Sequence, residues 1–172
     1  MSSVNEISLE VKIEEKDMYH FLLHCEYKRV ISVIYIFFSI SCLILFPFSL
    51  TWGDTTFSIM LLVVGLFYTF FTPLSLRLKA KRQILLNPAY KKPFNYVINE
   101  TGLNISQDHN EFNYSWMDFT KIEQTKNALL FFFSKKVAFI LPMKDCEKEI
   151  HNILEVLNKE VPHKLKGIKK IK

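Results

Sequence analysis

Glycine is scarce, with 4 in 172 residues. A phosphate-wrapping loop needs backbone that can approach closely and adopt positive φ, so no Gly-rich loop of that kind is available. The 3 cysteines are odd in number and form no CxxC pair, which excludes a disulfide framework. Residues 30–50 and 55–76 contain no Asp, Glu, Lys, Arg or His. Proton and ion relays use such groups inside a membrane, so their absence argues against transport by a single copy. No Ser/His/Asp grouping has a supporting motif, and no paired-carboxylate signature is present. The sequence therefore points away from an enzyme and implies no cofactor.

What is present is apolar. Hydrophobic residues make up 49% of the chain and aromatics 15%, with 16 Phe. At about 1.5 Å per residue, each uncharged stretch reaches roughly 32 Å, the thickness of a bilayer's hydrocarbon core. A soluble core helix would keep a polar face. The expectation is an integral membrane protein with two spans, 30–50 and 55–76. Thr51-Trp52-Gly53-Asp54 between them allows only a tight turn. Pro47 and Pro73 lie near the ends of the spans, where termination or a mild kink is expected. Gly65 stands alone, with no GxxxG dimerisation face.

Charge sets the orientation. Lys28 and Arg29 precede the first span, Arg77, Lys79, Lys81 and Arg82 follow the second, and the loop has neither Lys nor Arg. The positive-inside rule places both termini in the cytoplasm of a cell-membrane protein. Labelling of Cys146 by an impermeant thiol reagent in intact cells would contradict this.

The flanks read as follows. In residues 1–29, Ile7, Leu9, Val11 and Ile13 alternate with polar residues, as in a half-buried strand that must pair with the domain beyond residue 93. Residues 15–28 are expected to form a helix, with Asp17 as a candidate N-cap, running into the first span. Residues 77–86 continue the second helix until Asn87-Pro88 ends it. The connector 77–92 carries Arg77, Lys79, Lys81, Arg82, Lys91 and Lys92 and no acid. It is an ordinary positive-inside flank or a contact for anionic lipid heads.

Residues 93–160 switch to short strands: 94–98, 103–105, 112–116, 119–124, 127–133 and 137–141, the last two forming a hairpin around Ser134-Lys135-Lys136. Asp145 is a candidate cap for a helix over 144–159, where Cys146, Ile150, Ile153, Leu154 and Leu157 recur at helical spacing. The whole is a membrane α+β protein, with an antiparallel, strongly bent sheet closed by a C-terminal helix. Tyr114, Trp116 and Asp118 form the most distinctive group, as a packing motif or a domain-surface motif. His20 and His24, one helical turn apart, are too few to suggest a metal site. The basic tail 161–172 reads as a solvated end or a lipid contact. Nothing suggests nucleic-acid binding, because no base-stacking motif accompanies the lysines.

The order of elements resembles the YcxB-like membrane proteins. The carrying features are the N-terminal strand and helix, the two-helix hairpin, and the basic stretch ending in Asn87-Pro88. Further on are Glu100-Thr101-Gly102-Leu103, Tyr114-Ser115-Trp116-Met117-Asp118, and Phe139-Ile140-Leu141-Pro142 before the last helix. One departure follows that strand: Met143, Lys144 and Asp145 stand where the family usually has a basic residue and an aromatic. The resemblance implies a cytoplasmic domain similar to bacterial pleckstrin-homology-like domains and carries no biochemical activity with it. The expected function is a membrane-anchored, non-enzymatic interaction or regulatory module. It has the bilayer and an unidentified protein as partners, and self-association stays open. An anionic-lipid-responsive domain and a small pore or transporter subunit are the alternatives. Lys121 and Lys135 are expected on the domain surface.

Overall fold

The computed structural model describes residues 6–167. Strand β1 (Ile7–Val11) buries Ile7, Leu9 and Val11 and exposes the residues between, as its alternation predicts. Helix α1 (Glu15–Tyr27) follows. Its N-cap is Glu14 rather than Asp17. Asp17 lies one turn in and accepts the Glu14 N–H at 2.9 Å, the reciprocal half of a capping box. The helix also does not run on: Arg29 is extended (φ −79°, ψ 127°), so α1 and the next helix are separate elements.

Two long apolar helices form the hairpin. The first comprises α2 (Val30–Ser49) and a 3₁₀ turn, Leu50–Trp52. Gly53 turns the chain at φ +76°, a conformation that glycine adopts at little cost. Asp54 then caps α3 (Thr55–Leu66) by accepting the Phe57 N–H at 3.1 Å. A π segment, Phe67–Phe71, leads into α4 (Thr72–Leu86). Pro73 has no N–H for the carbonyl four residues back, and the widened turn before it absorbs the break without ending the helix. Both helices are long and apolar enough to cross a membrane, and only 17% of the most apolar window of each is buried.

The hairpin holds together through small residues. Ser32, Ser39, Ser49 and Ser58 are buried. Ser39 Oγ donates to the Gly65 carbonyl at 2.5 Å and meets Thr69 Oγ1 at 2.8 Å, and Ser49 Oγ donates to Ser58 Oγ at 2.7 Å. A Cβ on Gly65 would lie 2.7 Å from Leu43 Cδ2. Gly65 therefore serves close approach within the chain.

Beyond the hairpin, the 3₁₀ turn Pro88–Lys91 opens the strand-rich part. Strands β2 (Phe94–Ile98), β3 (Gly102–Gln107) and β4 (Asn110–Ser115) join β1 in one antiparallel sheet, order β1-β2-β3-β4. Ile7 lies opposite Ile98, and Val11 opposite Phe94. Strands β5 (Lys121–Gln124), β6 (Ala128–Phe132), β7 (Ala138–Pro142) and β8 (Leu165–Lys166) form a second sheet, order β7-β6-β5-β8. The expected single sheet is thus two open sheets, and neither closes on itself. The break falls at the 3₁₀ turn Trp116–Asp118, which ends β4 at Ser115 and leaves Trp116 outside the strand. The start of the basic tail is ordered, because Leu165 and Lys166 pair in parallel with Ile122 and Glu123. Residues 168–172 of that tail, and residues 1–5, lie outside the described residues.

The helix expected over 144–159 is two pieces, α5 (Met143–Cys146) and α6 (Ile150–Glu160). Asp145 caps neither. Its Oδ2 instead accepts the Lys12 N–H at 3.2 Å, tying α5 to the chain after β1. One core joins the two sheets, α1 and α6. In it β6 is buried at every residue, as a continuous Ala-Leu-Leu-Phe-Phe run covered on both faces demands. Phe131 packs against Trp116 and Phe119, while Phe132 faces Phe21 of α1.

Candidate functional site

Helix α4 extends past the uncharged stretch and presents Lys79, Arg82, Gln83 and Leu86 along one face, at the spacing i, i+3, i+4, i+7. Asn87 ends the helix, and its Oδ1 accepts the Ala89 N–H at 3.0 Å. Gln107 Nε2 of β3 donates to the carbonyls of Ala89 (2.7 Å) and Lys92 (2.9 Å), which pins the connector to the first sheet. Helix α4 and the connector, with α1, β2 and β7, line a cavity of about 860 Å³ that opens to solvent. Its floor is apolar, with Phe21, Leu22, Phe94, Tyr96 and Phe139. Lys79, Arg82 and Lys136 supply charge at the rim, and no lining side chain is a carboxylate. Burial raises the Tyr96 and Tyr90 hydroxyl pKa values, so both phenols stay neutral. The arrangement suits a guest with one apolar body and one anionic group.

The six connector cations do not act together. Lys79 and Arg82 line the cavity. Arg77 turns to a separate pocket beside Glu14, Glu15 and His20. Lys81 and Lys91 are exposed and line neither. Lys92 pairs with Asp108 at 2.7 Å. Tyr114, Trp116 and Asp118 sit in or beside the core. The Tyr114 ring lies 5.1 Å from that of Phe133 and 5.0 Å from that of Phe139. Trp116 is buried, and its Nε1 donates to the Asn99 carbonyl at 3.1 Å. Asp118 accepts the Ser115 N–H at 2.8 Å and closes the 3₁₀ turn between the sheets.

A second constellation escaped the sequence reading. Glu123, on the face of β5 turned toward α1, is only 2% exposed. Its carboxylate takes His24 Nε2 at 2.9 Å, Lys28 Nζ, and Lys121 Nζ at 3.4 Å. Burial acts to raise its pKa. Hydrogen bonds from Lys28 and His24, with the charge of Lys121, outweigh burial and push it down to about 2. Lys121 is therefore not a free surface residue: it also lies 4.0 Å above the Phe132 ring. No local signal marks Glu123, because its hydrogen-bonding partners Lys28 and His24 stand 95 and 99 residues away along the chain. His24 is spent on this carboxylate, and among the described residues no cluster of three or more metal-ligating side chains forms.

Residues 98–152 match the family model described as YcxB-like protein. Over that segment the chain is similar to YcxB-like proteins. The YcxB-like segment contains β3 to β7, the Trp116 turn, Glu123 and the Lys136–Phe139 side of the cavity. Lys79, Arg82, Tyr96 and α1 come from outside it, so the cavity joins the YcxB-like segment to the chain around it. Neither a curated protein nor a solved structure matches the chain.

Proposed function

We propose that this protein is a membrane-anchored, non-enzymatic interaction module that presents its YcxB-like domain at the cytoplasmic membrane surface. The observation that carries the reading is the pairing of β1 with β2. The first precedes the helical hairpin, the second follows it, and they pair along five residues. If the two apolar helices cross a bilayer, both flanks lie on one side of it, welded into one body. The basic residues at the ends of the hairpin favour the cytoplasmic side. Support for insertion comes from the large apolar side chains left exposed on both long helices, Phe37, Phe38, Phe67 and Phe70 among them. The run of antiparallel strands β2 to β7 with the amphipathic α6 packed into their core supports the pleckstrin-homology-like reading of the domain.

Because α1 packs on α4 and is fixed to β5 through Glu123, a partner on the domain would bear on the hairpin directly. Photo-crosslinking in living cells tests this, with probes replacing Met117 and Lys135, both exposed. A discrete protein adduct from either position is expected. Adducts no more abundant than those of a probe in the Thr51–Asp54 loop would defeat the reading.

A further inference from the structure

We propose that the cavity beside α4 binds one anionic membrane lipid. Its phosphate would be held by Lys79, Arg82 and Lys136, and one acyl chain would lie over Phe94, Tyr96 and Phe139. The inference rests on the membrane placement proposed above and adds a ligand to it.

Three observations converge on this occupant. The first is charge: three exposed cations line the cavity, and no carboxylate does. Lys92, Lys144 and Lys159 each have a carboxylate within 4 Å, whereas Lys79, Arg82 and Lys136 have none among the described residues. The second is the floor, whose aromatic and aliphatic side chains would gain from an apolar chain and nothing from a bare anion. A volume of about 860 Å³ falls within the roughly 300–1,000 Å³ of ligand sites. The third is position. Lys79 is three residues past Leu76, where the uncharged stretch of the second long helix ends. With the helix crossing a bilayer, Lys79 therefore stands at headgroup depth, next to the densest supply of lipid. The chain's own C-terminal residues are a poor occupant, since Lys169, Lys170 and Lys172 would meet like charge.

The test uses the full chain in nanodiscs of phosphatidylcholine with a trace of phosphatidic acid bearing a diazirine in one acyl chain. After irradiation, adducts are mapped by peptide mass spectrometry. Adducts on α2 and α3 report insertion. Adducts on the peptides containing Tyr96 and Phe139 report the cavity. Excess phosphatidylglycerol is expected to remove the cavity adducts about tenfold, while added phosphatidylcholine or inorganic phosphate leaves them. The double variant Lys79→Glu, Arg82→Glu removes anion attraction, and Ala89→Trp fills the space. Each is expected to lower cavity adducts about tenfold with those on α2 and α3 unchanged, and unaltered thermal melts would show that both variants keep the fold. Labelling of α2 and α3 without the cavity would overturn the lipid site and leave the membrane placement standing. So would cavity adducts that ignore both variants, or that inorganic phosphate displaces. Absence of label on α2 and α3 would overturn the placement itself.

Discussion

Replacing Glu123 by Gln removes one negative charge from a buried position and keeps the shape. In the parent protein the carboxylate sits between Lys28 and Lys121 and hydrogen-bonds His24 where α1 meets β5. Its pKa falls from 4.5 to about 2. At about 1.4 kcal/mol per unit, the ionised form is favoured by the fold by roughly 3 kcal/mol. The Lys28 side chain is 50% exposed and that of His24 30%, so both can recover water when the charge goes. The net loss on Glu123→Gln at pH 7 is then about 2 kcal/mol, below the 3–5 kcal/mol typical of a fully buried pair. For a chain of this size that is about 4–8 °C in Tm. The sign with pH follows from the depressed pKa. The contribution is complete above about 4.5 and lost as pH falls toward 2, where the parent carboxyl is itself protonated. Melting of the purified full chain, followed by fluorescence of the buried Trp116, should show a gap between parent and variant. That gap should shrink as the pH is lowered from 5 toward 2. A variant that melts within about 1 °C of the parent at pH 7, or a gap that stays constant across that range, would refute the electrostatic account.

Two further outcomes follow from the geometry. Gly102→Ala places a Cβ 1.9 Å from the Tyr114 carbonyl oxygen, a backbone atom of the paired strand that cannot move alone. The first sheet must part there, with an expected loss of at least about 2 kcal/mol, measured as a lower denaturation midpoint. Membrane orientation is best read from new cysteines, because Cys146 is buried and its thiol is pushed up to about 12, mainly by burial, so it is a poor target for labelling reagents. With an impermeant maleimide, Trp52→Cys should label in intact cells and Lys135→Cys only after permeabilisation. The reverse pattern would invert the orientation.

The two apolar helices, the turn at Gly53, the end at Asn87 and the strand at Ile7–Val11 are legible in the sequence, because each depends on local terms. These are uncharged length, a residue able to take positive φ, a proline that disfavours the helix before it, and a period of two. The Tyr114–Asp118 motif is visible in the sequence, where Trp116 reads as the end of a strand; that Trp116–Asp118 is a turn between two sheets is not. What only the tertiary structure decided are contacts between distant positions. Asp145 could have capped a helix by sequence, and was drawn instead to the Lys12 N–H, 133 residues away along the chain. Lys121 reads as a surface lysine until β5 turns it over Phe132 and beside Glu123. Of six connector cations, only Lys79 and Arg82 reach the cavity, since its other walls come from α1, β2 and β7 and fix which face of α4 is covered. Hydrophobic length and turn chemistry act over a few residues and survive in the sequence. The placing of a charge depends on which strands and helices meet, and packing alone settles that.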